Sequence, residues 1–277
     1  MIYQKLKPSP YLSTYIKEYL LIHFKFDPKG PALIKPYPVC PEQCLPFYIR
    51  GKVNTVKPDG SSEYIPTVGI IGQQTNRHDK YLTHEILLFQ PVFQPGALHS
   101  LTRVPMTELI EKNIDAEVLF GKEINEVYGK LCEAKNYEAY IPIFETFLYQ
   151  KLNVLKEEIR PIHQVGRLIL EQPHLFDVDV LARQSCLSTR QFERQFLLHI
   201  GISPKFFGRI SRFYKAFEQK EAQIELPWSN IAWDTGYTDY QHLAKDFKQF
   251  AGTTPNSLLL ENAQSPERLI GIKGLAK

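Results

Sequence analysis

Val180-Leu181-Ala182-Arg183-Gln184-Ser185-Cys186-Leu187-Ser188-Thr189-Arg190-Gln191-Phe192-Glu193-Arg194-Gln195-Phe196 and Asn230-Ile231-Ala232-Trp233-Asp234-Thr235-Gly236-Tyr237-Thr238-Asp239-Tyr240-Gln241-His242-Leu243-Ala244-Lys245-Asp246-Phe247 are two versions of one pattern. Leu181-Ala182 aligns with Ile231-Ala232, and Phe192 and Phe196 align with Leu243 and Phe247, so the offset grows from 50 to 51. Each copy reads as a short helix whose small Ala lets a neighbour approach, then a tight turn, then a second helix. Gly236 supplies the residue that accepts a positive φ in the second turn. Ser188 with Gln191, and Thr238 with Gln241, have the spacing of a capping box. Gly201 and Gly252 stand where each second helix should stop. The pattern predicts a duplicated helix-turn-helix.

At about 100° per residue, Phe192, Phe196 and Ile200 share one face, with Arg190 and Arg194 nearly opposite. In the second copy Leu243, Phe247 and Phe250 point inward, and Gln241 and Lys245 point away. Long donors on the outer face near a helix N-terminus suit base reading in a major groove, Arg for guanine and Gln for adenine. The free N–H groups at the capped ends suit phosphate. An ordinary polar surface would explain one such helix, but two with matched anchors argue for recognition. Residues 188–220 carry seven bases (Arg190, Arg194, Lys205, Arg209, Arg212, Lys215 and Lys220) against Glu193 and Glu218. Charge alone fits a solvated surface as well as an anionic partner. Between the copies, Phe206, Ile210, Phe213 and Phe217 predict a helix of ~18 residues from Pro204. Such a helix, roughly 27 Å long, could hold two reading heads about one DNA turn apart.

The remainder has another character. The 277 residues are 43% hydrophobic and 23% charged, which is ordinary globular usage. No stretch approaches the ~20 apolar residues of a membrane span, and the N-terminus does not read as a secretory signal. The expected address is therefore the cytoplasm. Proline and glycine punctuate short apolar runs up to about residue 100. Strands are predicted at Glu18–Phe26, Leu45–Arg50, Thr67–Gly72 and Glu85–Phe93, as in a barrel or sandwich. Pro91 places the last of these at an edge or bulge. From Met106 to about Leu155 the spacing is helical and predicts a helical hairpin. Its role is either to cover the β core or to form a dimer surface. The expected fold class is α+β with two domains. Residues 1–158 form a β-rich regulatory or dimerisation domain, 159–262 an all-α domain, and 263–277 a tail, with Lys156-Glu157-Glu158 at the linker.

Cys40, Cys44, Cys132 and Cys186 read as free thiols. His78, His84 and His99 are scattered, so no metal or cofactor is expected. A metal-dependent cupin-like enzyme with an attached DNA-binding domain is the competing reading. It finds no ligand cluster, nucleophile–base pair or glycine-rich phosphate loop to support it.

Residues 165–262 resemble the AraC/XylS family of transcription regulators. The resemblance rests on Leu181-Ala182, Leu187-Ser188, Phe192, Arg194, Phe196 and Gly201-Ile202-Ser203-Pro204. It also rests on Ile231-Ala232, Gly236-Tyr237, Asp239, His242-Leu243, Asp246-Phe247-Lys248 and Gly252-Thr253-Thr254-Pro255. It implies seven helices whose two recognition helices enter successive major grooves of double-stranded DNA. Arg190, Glu193 and Arg194, then Tyr240, Gln241 and Lys245, are the implied base-facing residues, and Gln191 is a further DNA-binding candidate. Ser188, Arg209, Thr238 and Lys248 are the expected phosphate contacts. The first turn departs from the family with Ser185-Cys186 where a glycine often stands. Gln94-Pro95-Gly96-Ala97, Leu101 and Leu109 through Gly121 resemble an uncharacterised N-terminal domain of AraC-like regulators. Such domains are often cupin-like barrels that sense a small molecule or mediate dimerisation. The implied function is a sequence-specific transcription regulator, an activator in many relatives. Its implied partners are DNA, RNA polymerase, a small-molecule effector and a second copy in a homodimer.

Overall fold

The computed structural model describes residues 1–155, 161–175 and 177–271. Its strands are Ile2–Leu6 (β1), Ile16–Lys25 (β2), Leu33–Lys35 (β3), Phe47–Arg50 (β4), Val53–Val56 (β5), Ser62–Tyr64 (β6), Gly69–Ile71 (β7), Asp79–Leu82 (β8), Glu85–Phe93 (β9) and Asn113–Asp115 (β10). They form an antiparallel sheet in the order β1-β2-β9-β4, a second in the order β3-β8-β5-β6, and the short pair β10-β7.

The long β2–β9 pairing sets Leu21 against Phe89 and Ile22 against Leu88. Side chains alternate across the sheet. Tyr19, Leu21, Leu87 and Phe89 join one apolar cluster, while Ile22, Phe24, Ile86 and Leu88 join another with Val53 of the second sheet. Both faces of β9 are therefore buried, which accounts for its nearly continuous apolar run. The expected position of Pro91 is corrected. It lies inside β9, opposite Tyr19 of β2, in a strand with neighbours on both sides. The missing N–H is tolerated because the segment beside it has left regular β4 pairing. There Leu45 N donates to Pro91 O, at 3.0 Å, and Pro91 has no donor to return.

The expected helix starting at Met106 is also corrected. After Ala97–Thr102 (α1) comes a single turn, Met106–Leu109, and then β10. Glu111 adopts φ +59 and breaks the helical path. Its carboxylate accepts from Thr75 Oγ1 at 2.7 Å and Asn76 N at 3.0 Å. Helices resume at Glu117–Phe120 (α2), Glu123–Glu133 (α3) and Tyr140–Leu155 (α4). The α3–α4 hairpin covers the β core: Phe144 meets Tyr19, Phe47 and Phe89 edge-on, with ring centroids 6.0, 5.9 and 6.1 Å apart.

The C-terminal domain comprises Pro161–Glu171 (α5), Val178–Gln184 (α6), Thr189–Ile200 (α7), Pro204–Ala222 (α8), Trp228–Asp234 (α9), Tyr240–Ala251 (α10) and Pro255–Asn262 (α11). It has its own apolar core, and Val39 of the N-terminal domain is fully buried in it. Val39 N donates to Phe250 O at 3.0 Å. The expected linker at 156–158 lies outside the described residues. Residues expected to form a tail instead carry a short helix, Pro266–Leu269 (α12), through residue 269. There Glu267 is buried and paired with Lys35 of β3.

Candidate nucleic-acid interface

The first unit begins with Asp177, whose Oδ1 accepts from Val180 N at 2.9 Å and caps α6. The turn is held by Leu187 N donating to Ala182 O at 3.0 Å. Cys186 adopts φ +55, and Gly236 adopts φ +80 in the second turn. Cys186 thus takes the left-handed conformation that Gly236 takes in the second unit, and the two turns are alike despite the sequence difference. The capping box is present: Gln191 N donates to Ser188 Oγ (3.3 Å), and Gln191 Oε1 accepts from Ser188 N (3.1 Å).

The helices that follow, α7 and α10, are 12 residues each. Phe192, Phe196, Leu243, Phe247 and Phe250 are fully buried. Arg190, Gln191, Glu193, Arg194, Tyr240, Gln241 and Lys245 are all exposed, as are Ser188, Thr238 and Lys248. The predicted cap of α10 is corrected by one residue: Asp239, not Thr238, caps it, accepting from His242 N at 2.7 Å. A carboxylate there also meets the positive end of the helix dipole.

Arg209, expected as a phosphate contact, is partly buried and engaged within the domain. Its Nη2 is engaged by Asp246 Oδ1 at 2.5 Å and Gln249 Oε1 at 2.6 Å. Arg212 stacks on the Tyr237 ring at 4.2 Å and donates to Gly236 O at 3.2 Å. Lys215 donates to Glu171 O at 2.7 Å, and Lys220 donates to Leu226 O at 2.7 Å. Four of the seven bases in residues 188–220 are thus committed to holding the domain together, and Arg190, Arg194 and Lys205 are left exposed. The basic run is mostly architecture.

Sequence reasoning missed the network around Asp246. This carboxylate is 1% exposed and accepts from Tyr237 Oη at 3.1 Å as well as from Arg209. Burial and the adjacent Asp246 charge push the Tyr237 phenol up, so it stays a donor. The available signal was a charged residue between Leu243 and Phe247, on the inward face. Trp233 of α9, 80% exposed, was not singled out either.

A small cavity of roughly 100 Å³ lies between the two sheets. Leu20, Ile22, Phe24, Ile86 and Leu88 line it, and Lys80 contributes an amine stacked on the Tyr37 ring at 3.4 Å. Burial pulls the Lys80 amine below its ordinary range. Tyr214 of α8 and Glu267 of α12 complete the wall. Among the described residues, no three His, Cys, Asp or Glu side chains are placed to share a metal ion. No helix among them is long and apolar enough to cross a membrane.

The helix-turn-helix domain family matches residues 181–260, and a domain of unknown function (DUF6597) matches residues 4–115. No curated protein matches the chain. Solved structures similar to it include ToxT from Vibrio cholerae O395 bound to (E)-4-(8-methylnaphthalen-1-yl)but-3-enoic acid. That structure is 11% identical, with 95% of this chain and 100% of that chain covered, at a TM-score of 0.48. The DNA-binding domain of AdpA, a global transcriptional factor, in complex with a target DNA is 24% identical, covers 39% of this chain and 99% of its own, and has a TM-score of 0.36. A regulator from Chromobacterium violaceum with an AraC-type DNA-binding domain is 21% identical, covers 38% and 93%, and has a TM-score of 0.35.

Proposed function

We propose how this chain, a DNA-binding transcription regulator of the AraC/XylS type, uses its two helix-turn-helix units. Helices α7 and α10 enter successive major-groove segments of one duplex, with α8 setting their separation. Arg190 and Arg194 read guanine, Gln241 reads adenine, and Glu193 accepts from cytosine. Tyr240 and Lys245 complete the second reading face. Ser188, Thr238 and Lys248 hold phosphates and so fix the register. One observation carries this reading: both helices bury their aromatic and aliphatic faces and expose Arg190 and Arg194, or Gln241 and Lys245, at their N-terminal halves.

The N-terminal domain is the control module. Its cavity has apolar walls with a few polar groups, the composition of a small-molecule site. Tyr214 of the inter-unit helix α8 forms part of the wall, so an occupant would touch the element that spaces the reading heads. Recruitment of RNA polymerase, activation, a cytoplasmic address and homodimerisation belong to the same reading. Family and fold point to a regulator rather than an enzyme.

Titrating the purified chain into labelled promoter DNA at several salt concentrations tests DNA reading. The expected result is an affinity that falls steeply with salt and exceeds that for random competitor DNA. A salt-insensitive affinity, or one equal for both DNAs, would refute it.

A further inference from the structure

Two buried polar side chains in the wall of the cavity between the sheets have no hydrogen-bond partner among the described residues. Gln90 of β9 is 3% exposed, and Lys80 of β8 is 7% exposed. Leu88, Gln90 and Val92 alternate along β9 on the face that lines the cavity, and Leu20 of β2 stands opposite Gln90. The Gln90 amide is therefore aimed into a largely apolar space. The Lys80 amine meets the Tyr37 ring, 3.4 Å from its centroid, and finds no acceptor among the described residues.

A buried group left unpaired costs about 1–3 kcal/mol. Packing does not require that cost, because Leu or Met would fill either place without it. A molecule that supplies the missing partners recovers it. Lys80 can only donate, whereas the Gln90 amide can donate and accept.

The charges of the wall say what that molecule carries. Lys5, Lys35 and Lys80 line the cavity together with Glu18, Glu42 and Glu267. Two pairs are closed, Lys5 with Glu18 at 3.6 Å and Lys35 with Glu267. Glu42 Oε1 accepts from Tyr37 Oη at 2.7 Å, so this anion sits at the edge of the ring that carries Lys80. Burial pushes the Glu42 carboxyl up, but Lys17 and the hydrogen bonds from Tyr37 and Cys40 override it and keep it ionised. The wall is thus balanced before anything enters. An added anion would face Glu42 with no cation left over, and its desolvation would go uncompensated. An uncharged molecule meets no such penalty. The volume sets its size. Roughly 100 Å³ is less than the ~150 Å³ that admits benzene, which leaves room for about five heavy atoms.

We propose that this cavity binds a small uncharged organic molecule whose oxygen hydrogen-bonds to Lys80 and Gln90 while its short hydrocarbon body packs on Leu20, Ile22 and Leu88. The assignment rests on the reading of the N-terminal domain as the control module and names the class of its effector. A ketone oxygen accepts from both Lys80 Nζ and Gln90 Nε2. An alcohol accepts from Lys80 and donates to Gln90 Oε1.

NMR titration of the full chain with butanone, sec-butanol and propionate, which share one size, tests this. The readouts are the Gln90 side-chain amide and the methyl groups of Leu20, Ile22 and Leu88. Butanone, sec-butanol or both should shift these signals, and the better of the two tells which oxygen chemistry the site takes. Propionate should bind about tenfold more weakly or not at all. Gln90→Leu and Lys80→Met should each weaken the better probe by about three- to tenfold, as loss of one hydrogen bond implies. No shift with either uncharged probe, propionate bound as tightly as the better of them, or unchanged affinity in both variants would overturn the proposal. The comparison of probes on the wild-type chain decides even where a variant fails to fold. DNA titration at a saturating concentration of the better probe separates the two readings. A bound probe with unchanged DNA affinity would support this assignment and count against the control module.

Discussion

Arg209 and Asp246 join the helix between the units to the second recognition helix through a 2.5 Å contact from Nη2 to Oδ1, with the carboxylate 1% exposed. Arg212 Nη2 adds a second cation at 3.6 Å and Tyr237 Oη a hydrogen bond at 3.1 Å. One buried anion thus gathers α8, the second turn and α10.

Asp246→Asn should therefore destabilise the chain by about 1–3 kcal/mol, because it leaves the partly buried Arg209 and Arg212 without their anion. Denaturant titration measures the loss. A change below about 1 kcal/mol, the range of exposed pairs, would contradict the role given to Asp246.

Cys186 has φ +55 and is exposed, so its side chain offers little packing to offset the left-handed backbone. Cys186→Gly should raise stability by about 1 kcal/mol, the penalty an L-residue carries in that region. Thermal unfolding checks this; an unchanged or lower Tm would show that the thiol contributes more than the strain removes.

Acid stability should depend on Glu111. Burial pushes its carboxyl up, but hydrogen bonds from His78 and Thr75 override this and hold it at about 2, below the ordinary carboxyl value of 4.5. The stability it contributes is thus complete above 4.5 and is lost as pH falls toward 2. Glu111→Gln should flatten the stability profile over that window. A profile that stays as steep as wild type would assign the acid limb to other groups.

These residues mark how far sequence reasoning reached. The two units were legible because a helical face must be apolar where it is buried, and Phe192/Phe196 and Leu243/Phe247 repeat that constraint. β9 was legible from Glu85 to Phe93 because nine consecutive residues of strand character stand between turn signals. The strands β1, β3, β5, β6, β8 and β10 were not. Five of them are three or four residues long, and all are amphipathic or polar, so pairing partners distant in sequence define them. For the same reason, the sequence did not show that Arg209 and Arg212 point inward, since a basic side chain reveals its partner only when the helices meet. Nor did it show Val39 inside the C-terminal core.

Base reading predicts a separable effect at each face. Arg194→Ala should relax preference at one base position by about 1–3 kcal/mol and leave positions read by α10 unchanged. Competition with single-base variants of a bound site measures it. A uniform loss across all sequences would make Arg194 a phosphate contact instead.

Selection of bound sequences from random double-stranded DNA with the full chain tests the two-head account most directly. The predicted product has two specified blocks whose centres lie about one helical turn, roughly 10 base pairs, apart. The double variant Arg190→Ala, Arg194→Ala should erase one block, and Gln241→Ala, Lys245→Ala the other. Absence of any enriched sequence, or loss of the same block in both variants, would contradict it.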